Sequence, residues 1–349
     1  MTVAISVVVP CRNEAASLRA CLDALALQDY PRDRFEVIVV DGGSTDGCAD
    51  VARARGTRLL ADRGEGPAAA RNLGIRAAQG GIVAFTDADC MPRPDWLTRV
   101  AEVFAEDPGV AGVAGALRMP RETFLGRLED DEARAHYRGV ITSNVSYRRA
   151  ALLDVGGFDE SLQCAEDYDL AWRLVDAGHR VVHDPRPVVV HSPPEVHGSV
   201  AGYLRKQLWY AESDVPAHVR AFRRRRGSRD AAGSAAAVVE TLDALANGAL
   251  VGSLAVAAAK RSPRHAAASL GLALATSAVR AARISRPREV PARAALIAAR
   301  RVARGAGALA GYARLLTPAG RRALSAPARA PLRQGAPASP AAPSARAPS

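Results

Sequence analysis

Lysine is almost missing from this 349-residue chain: it occurs only at Lys206 and Lys260, so arginine supplies nearly all of the 47 basic residues. We read that as a compositional bias, not as a sign of phosphate binding. Aromatic residues are only 5% of the chain and no nucleic-acid-binding module is recognisable, which argues against base stacking and a nucleic-acid partner. The cysteines, Cys11, Cys21, Cys48, Cys90 and Cys164, form no close pairs. An odd count without Cys-x-x-Cys spacing argues against a disulfide framework or a zinc site, and reduced thiols in a cytosolic domain are expected. The N-terminus has no basic region before its apolar run, which Pro10 ends early, so no signal peptide is expected. Long apolar runs are lacking too: the uncharged stretch Ala244 to Ala259 has 16 residues, short of the ~20 that a membrane span needs.

What is present divides unevenly. Residues 1–200 hold 22 Lys and Arg against 30 Asp and Glu, whereas residues 201–349 hold 25 against 6. An acidic front suits metal-assisted chemistry. A basic, Ala-rich rear suits an anionic surface, and with no nucleic-acid module the better candidate is membrane lipid. Amphipathic spacing at Leu204, Leu208 and Trp209, and Ala-rich segments over Ala235–Ala259 and Ala266–Ala282, predict helices in that rear. Whether they span, lie on or ignore a membrane is open from sequence. From residue 318 the chain is rich in Pro, Ala, Ser and Arg, and disorder is expected. The organisation expected is therefore 1–200, a catalytic domain; 201–317, a basic helical region; and 318–349, a disordered tail.

In the front, short apolar runs alternate with helical spacing. Strands are expected over Val3–Val9, Phe35–Val40, Thr57–Leu60, Ile82 into Asp87, Val110–Leu117 and Ser143–Tyr147. Helices are expected over Glu14–Leu27, with Leu18, Cys21, Leu22 and Leu25 inward, and over Pro67–Gln79, Pro92–Phe104 and Glu166–Gly178. The last would bury Leu170, Leu174 and Val175. Residues 120–138 read as a loop with some helix that shapes an acceptor pocket. This alternation predicts an α/β fold with a largely parallel sheet covered on both faces. Ligands in such sheets sit at the carboxyl ends of strands, where strand order switches.

Two acids end one of those strands, in Phe85-Thr86-Asp87-Ala88-Asp89. Should the strand run on to Asp89, Asp87 and Asp89 project to one side. Paired carboxylates at a strand end suit a hard divalent cation that shares its shell with substrate phosphates. Asp41 ends a second strand, before Gly42-Gly43-Ser44-Thr45-Asp46-Gly47; it is able to accept from a nucleotide base N–H or to make a local turn. Asp46 reads as a helix cap.

Six motifs in order resemble the inverting, nucleotide-diphosphate-sugar-dependent glycosyltransferases of family 2, which have the GT-A fold. They are Val8-Val9-Pro10-Cys11-Arg12-Asn13-Glu14, Val40 to Gly47, Gly66 to Gly74, Phe85 to Asp89, Gly156-Gly157-Phe158-Asp159-Glu160 and Glu166-Asp167-Tyr168-Asp169-Leu170. The resemblance spans residues 3–195. It implies a Rossmann-like, mostly parallel sheet flanked by helices, here with a C-terminal Ala/Arg-rich helical extension. It implies that Asp89 ligates Mg2+ or Mn2+ on the donor diphosphate, with Asp87 near the ribose or the metal's outer shell and His191 reaching metal or diphosphate. Pro10, Arg12, Glu14 and Asp41 would line the nucleotide pocket, and Arg71 would meet the diphosphate. Asp167 would be the base that deprotonates the acceptor hydroxyl, with Glu166 raising its proton affinity. Asp169 is expected to form a modest solvated pair with Arg173.

The resemblance further implies transfer of one sugar, from a UDP-sugar by default, to a lipid-linked, glycan or small-molecule hydroxyl; the basic rear and the expected lack of a signal peptide add the expectation of a place at the cytoplasmic face of a membrane. The processive members' Gln-x-x-Arg-Trp has only Gln207-Leu208-Trp209-Tyr210 in its place, which favours single transfers. Two other readings stand beside this one. A non-catalytic nucleotide-sugar-binding scaffold is opposed by the intact Asp87, Asp89 and Asp167. A sugar-phosphate nucleotidyltransferase is opposed by the absence of glycine from Val7 to Glu14.

Overall fold

The computed structural model of the chain describes residues 3–136, 140–191, 199–225, 247, 249–251, 253–254, 262–284 and 289–318. Residues 319–349 of the expected tail, most of Ala235–Ala259 in the expected helical rear, and residues 192–198 lie outside the described residues.

Eight strands form one mixed sheet in the order β3-β2-β1-β4-β7-β6-β8-β5. They are β1 (Ile5–Cys11), β2 (Phe35–Asp41), β3 (Arg58–Ala61), β4 (Ile82–Phe85), β5 (Cys90–Pro92), β6 (Val110–Arg118), β7 (Val145–Arg148) and β8 (Arg180–His191). The first four run parallel, with β1 between β2 and β4, so the order switches direction at β1. β7 lies antiparallel between β4 and β6, β8 runs parallel to β6, and β5 closes the edge antiparallel to β8.

Period-two alternation sends the strand residues to two cores. Val7 and Val9 of β1 and Val37 and Val39 of β2 meet helices α1 (Ala15–Ala26), α2 (Cys48–Ala54) and α4 (Trp96–Glu106). Val8, Ile38 and Val40 meet α3 (Pro67–Ala77), α6 (Arg149–Asp154) and α7 (Glu166–Asp176) on the other face. Leu18, Cys21, Leu22 and Leu25 are the buried residues of α1, as their spacing predicts.

Several expectations change. β1 continues through Pro10 to Cys11. Val8 O accepts from Thr86 on the β4 side while Cys11 O accepts from Gly42 on the β2 side, so Pro10 turns its missing donor toward β4, which has already ended at Phe85. β4 stops at Phe85 instead of running on to Asp89. On α7, Leu170 and Leu174 are buried but Val175 is 40% exposed. Asp169 is only 1% exposed: Arg173 clamps it at 2.7 Å and also donates to the carbonyls of Val155 and Gly157, so the pair is a buried structural tie.

The C-terminal helices are α8 (Val200–Arg225), α9 (Pro263–Ile284) and α10 (Val290–Leu315). They sit against the sheet domain. α8 packs on α7 through Trp172, Ala217 and Ala221. Tyr203 of α8 and Leu296 and Ile297 of α10 share a cluster with Leu125 and Leu128 of α5 (Phe124–His136). Arg293, 1% exposed, donates to Asp131 of α5 at 2.7 Å. α10 meets α8 at backbone distance. A Cβ on Gly307 would lie 2.1 Å from the Leu208 carbonyl oxygen, and one on Gly311 would lie 2.6 Å from that of Glu212. No helix among the described residues is long and apolar enough to cross a membrane.

Candidate active site

The carboxyl ends of β1 and β4 flank the switch in strand order, and the acids gather there. After β4 the chain turns at once, with Cys90 N–H donating to Asp87 O at 3.1 Å. Asp87 and Asp89 therefore do not share a strand face, and each meets a different partner.

Asp87 meets Arg71, which is 4% exposed on α3. One terminal nitrogen of that guanidinium donates to Asp87 Oδ1 and the other to Glu166 Oε1, both at 2.7 Å. Burial works against the Arg71 charge, and the carboxylates of Asp87 and Glu166 more than offset it, raising its pKa. Asn72, fully buried beside it, holds the glycine turn before α7. Its amide donates to Phe158 O at 2.9 Å and to Glu160 at 2.8 Å, and accepts from Phe158 N–H at 2.8 Å. Two neighbouring residues of one helix thus bolt β4 to the start of α7.

Asp167 lies at that start, after Ala165 in a left-handed conformation (φ +59°). Its Oδ1 accepts from Tyr168 N–H at 2.8 Å. Desolvation first, and then the adjacent Glu166 charge, push its carboxyl up to about 8. A carboxylate with that proton affinity is suited to accept a hydroxyl proton near neutral pH.

Asp89 meets His191, with Oδ2 3.3 Å from Nε2. Strand β5 is the reason: the antiparallel β5–β8 register sets Cys90 opposite His191, which brings the residue before Cys90 to the imidazole. Asp89, Cys90 and His191 offer ligand atoms within 4.8 Å of one another. The Cys90 thiol is buried, donates to Asp89 Oδ1 at 3.4 Å, and has its pKa pushed well up by burial and then by Asp87 and Asp89, so it stays protonated. The usable donors are one carboxylate and one imidazole. That set fits a Mn2+ or Mg2+ ion whose other ligands are phosphate oxygens and water. Glu14, exposed before α1, feels the same acids. Desolvation, then Asp89 and Asp87, raise its carboxyl to about 7.

The remaining expected residues lie on the β1–β2 side. Pro10 is half-buried inside β1, and Arg12 is exposed beside Gly42 and Gly64. Asp41 Oδ1 accepts from both the backbone and the hydroxyl of Ser44, at 3.0 and 2.5 Å, so half of this carboxylate is taken by the turn. Asp46 accepts from Ala15 N–H at 2.7 Å and from Cys48 N–H at 3.2 Å, joining the starts of α1 and α2. Sequence reasoning missed Asp62. It follows β3, its N–H donates to Asp41 O at 2.8 Å, and one of its carboxylate oxygens is buried without a hydrogen-bond partner. It also left Asn72 without a role. Both positions lie inside or beside segments whose ends were visible, but their partners are far away in sequence.

Asp87, Glu166, Asp167 and His191 open into one cavity of about 790 Å3. Its far wall is built by α5, α8 and α10, through Leu125, Tyr210 and Arg304 among others.

A switch-point cleft with a carboxylate–imidazole pair beside a carboxylate of raised proton affinity, on a sheet of this order, defines a transferase with the GT-A fold. The sequence profile described as glycosyl transferase family group 2 matches residues 82–276, and that of glycosyl transferase family 2 matches residues 6–152. The chain is 33% identical to the glycosyltransferase AglE of Haloferax volcanii over 228 residues, 60% of this chain and 73% of that one. It is also 33% identical to the pre-mycofactocin glycosyltransferase of Mycobacterium tuberculosis over 243 residues, but there it spans only 48% of the relative's length. Among solved structures, the mannosyltransferase PcManGT from Pyrobaculum calidifontis, in complex with GDP-Man and Mn2+, superposes with a TM-score of 0.61 at 26% identity, over 86% of this chain and 87% of that one. This chain belongs to glycosyltransferase family 2.

Proposed function

We propose that the chain moves one sugar, with inversion, from a nucleoside-diphosphate sugar to an acceptor hydroxyl, with Asp167 as base and Asp89 and His191 as ligands for Mn2+ or Mg2+. The observation that carries this reading is the Arg71 bridge, which fixes Asp87 and the Glu166-Asp167 pair around one cavity that His191, the partner of Asp89, also lines. When bound, the metal neutralises charge that builds on the departing diphosphate. Asp167 accepts the acceptor's proton while the acceptor oxygen bonds to the anomeric carbon. The bond from that carbon to the phosphate oxygen breaks, and its electron pair leaves with the diphosphate. Glu166 keeps the proton affinity of Asp167 high, and Arg71 limits how high. Arg12, Glu14, Asp41 and Pro10 serve the nucleotide side, with Asp62 added to them. A UDP-sugar is the default donor, and the GDP-Man bound by the solved relative makes a GDP-sugar the first alternative to try.

The rear of the chain supports contact with anionic lipid. Residues 201–349 carry a large basic excess, and α9 exposes Leu270, Leu272, Leu274 and Val279 with no charged residue between Arg264 and Arg280. Leu272 and Val279 lie opposite the buried Ala273, Ser277 and Ala281, and an outward apolar pair on an uncharged stretch suits the membrane interface. We place the protein at the cytoplasmic face of the cell membrane, with residues 1–200 as the catalytic unit and 201–317 as its basic companion.

The test is donor hydrolysis by purified protein with Mn2+ across UDP-, GDP- and dTDP-sugars. Wild-type protein is expected to release free nucleoside diphosphate from one of them. Asp89→Ala is expected to lose metal-dependent donor binding, and Asp167→Asn to keep donor binding and lose transfer. Normal transfer by Asp167→Asn would refute the base assignment.

A further inference from the structure

The cavity that begins at Glu166 and Asp167 has a wall chemistry of its own. Leu117, Met119, Pro120, Leu125 and Ile141 make one side apolar. Neutral hydrogen-bonding groups come from Thr142, Ser143 and Gln207. The ionisable groups are mostly acids: Glu122, Glu129 and Asp214 join Asp87 and Glu166, which Arg71 bridges, and Asp167, which keeps its proton to about pH 8, while the basic side chains are Lys206, Arg304 and His191. Arg304 is engaged, 3.6 Å from Asp214 and donating to Gln207 at 3.3 Å. The Lys206 ammonium stands 5.4 Å from the centre of the Tyr210 ring. The acids are felt inside the space. The Tyr210 hydroxyl is made harder to ionise by burial first, and then by Cys164, Asp214, Asp87 and Glu129. The Cys164 thiol is likewise held protonated by burial, Asp214, Glu166 and Asp167.

We propose that this cavity is the acceptor site and that it takes an uncharged amphiphilic alcohol, with hydroxyls toward Asp167 and an apolar body along Leu117, Met119 and Leu125. The assignment rests on the reading of Asp167 as base. A phosphate or carboxylate on the acceptor would enter a cleft whose low-dielectric walls focus a negative field, and like charges brought together there are strongly penalised. Exclusion of charged competitors by repulsion is a specificity device in its own right. The neutral side chains remain to bind hydroxyls, and the apolar side rewards a hydrocarbon body.

A matched pair of probes decides the matter: hexyl β-D-glucoside and its 6-phosphate, titrated calorimetrically into the full chain without donor. The neutral glucoside is expected to bind at least tenfold more tightly than the phosphate. The double variant Glu122→Gln/Glu129→Gln is expected to narrow that ratio to threefold or less. A phosphate that binds as tightly as the glucoside, or a glucoside that does not bind, overturns the proposal. Binding here is read without metal, donor or transfer, so this result is independent of the Asp167→Asn experiment that tests the catalytic reading.

Discussion

Replacing Arg71 with methionine removes the cation that lies among Asp87, Glu166 and Asp167 while keeping a long apolar stem against Phe158, whose ring centre is 5.8 Å from the guanidinium carbon. Two effects follow. Breaking a buried pair by deleting one partner costs ~3–5 kcal/mol. The Glu166 side chain is 10% exposed, but that of Asp87 is 30% exposed and partly screened by solvent. The lower end, ~3 kcal/mol, is therefore the better figure. In a domain of this size each kcal/mol moves the midpoint by about 2–4 °C, so Arg71→Met is expected to melt about 6–12 °C below wild type. The second effect is on titration. Arg71 lowers the proton affinity of Asp167, and loss of a neighbouring opposite charge raises a carboxyl by about 1–3 pKa units. A base works only when deprotonated, so activity falls as pH drops through its pKa. The wild-type acid limb is expected near the value of about 8 held by Asp167, and the variant's limb at least ~1 unit higher. Profiles of kcat/KM against pH with Mg2+, run beside thermal melts of both proteins, measure the two together. An acid limb that does not move, with a melting point within 2 °C of wild type, would refute the bridge as the organiser of the site.

Asp167→Asn should lower kcat by about 10²–10⁴-fold, and it should also change stability with a definite sign. The folded-state pKa of Asp167 lies above its unfolded value, so this group's contribution to stability is present below about pH 4 and is lost as pH rises to about 8. The Asn variant should therefore melt above wild type at pH 9 and lose that advantage only as pH falls to about 4, as scanning fluorimetry would register. Asn72→Ala strips partners from both backbone groups of buried Phe158 and should cost roughly 2–4 kcal/mol in urea unfolding; a loss under 1 kcal/mol would contradict the accounting. Sedimentation with vesicles containing phosphatidylglycerol should deplete the protein at low salt and release it at high salt. The double variant Leu272→Glu/Val279→Glu on α9 should stay in the supernatant.

What the sequence made legible were features governed by short-range pattern. The strand pattern of β1 and β2 and the four inward residues of α1 follow from spacing alone; Asp87 and Asp89 stood out as acids after an apolar run, whereas Asp167 was singled out only through the family resemblance. The misses share the opposite origin. β5 is three residues with a proline and no periodicity; it exists because β8 pairs with it from about a hundred residues away, and it in turn ends the imagined continuation of β4 through Asp89. That Arg71 also ties Asp87 to Glu166, 95 residues on, had no signal in the sequence. Asp169 looked solvated because the carbonyls of Val155 and Gly157 that fix Arg173 belong to a turn with no signature of its own.

The glycines of α10 have a consequence for how such an enzyme diversifies. With Gly307 and Gly311 letting two helix backbones touch, Lys206, Gln207, Tyr210, Asp214 and Arg304 ride on one stiff cassette. The carboxylates Asp87, Asp89, Glu166 and Asp167, by contrast, are carried by the sheet domain. Exchanging side chains on that cassette would reshape one wall of the chamber while leaving the acids of the sheet domain in place.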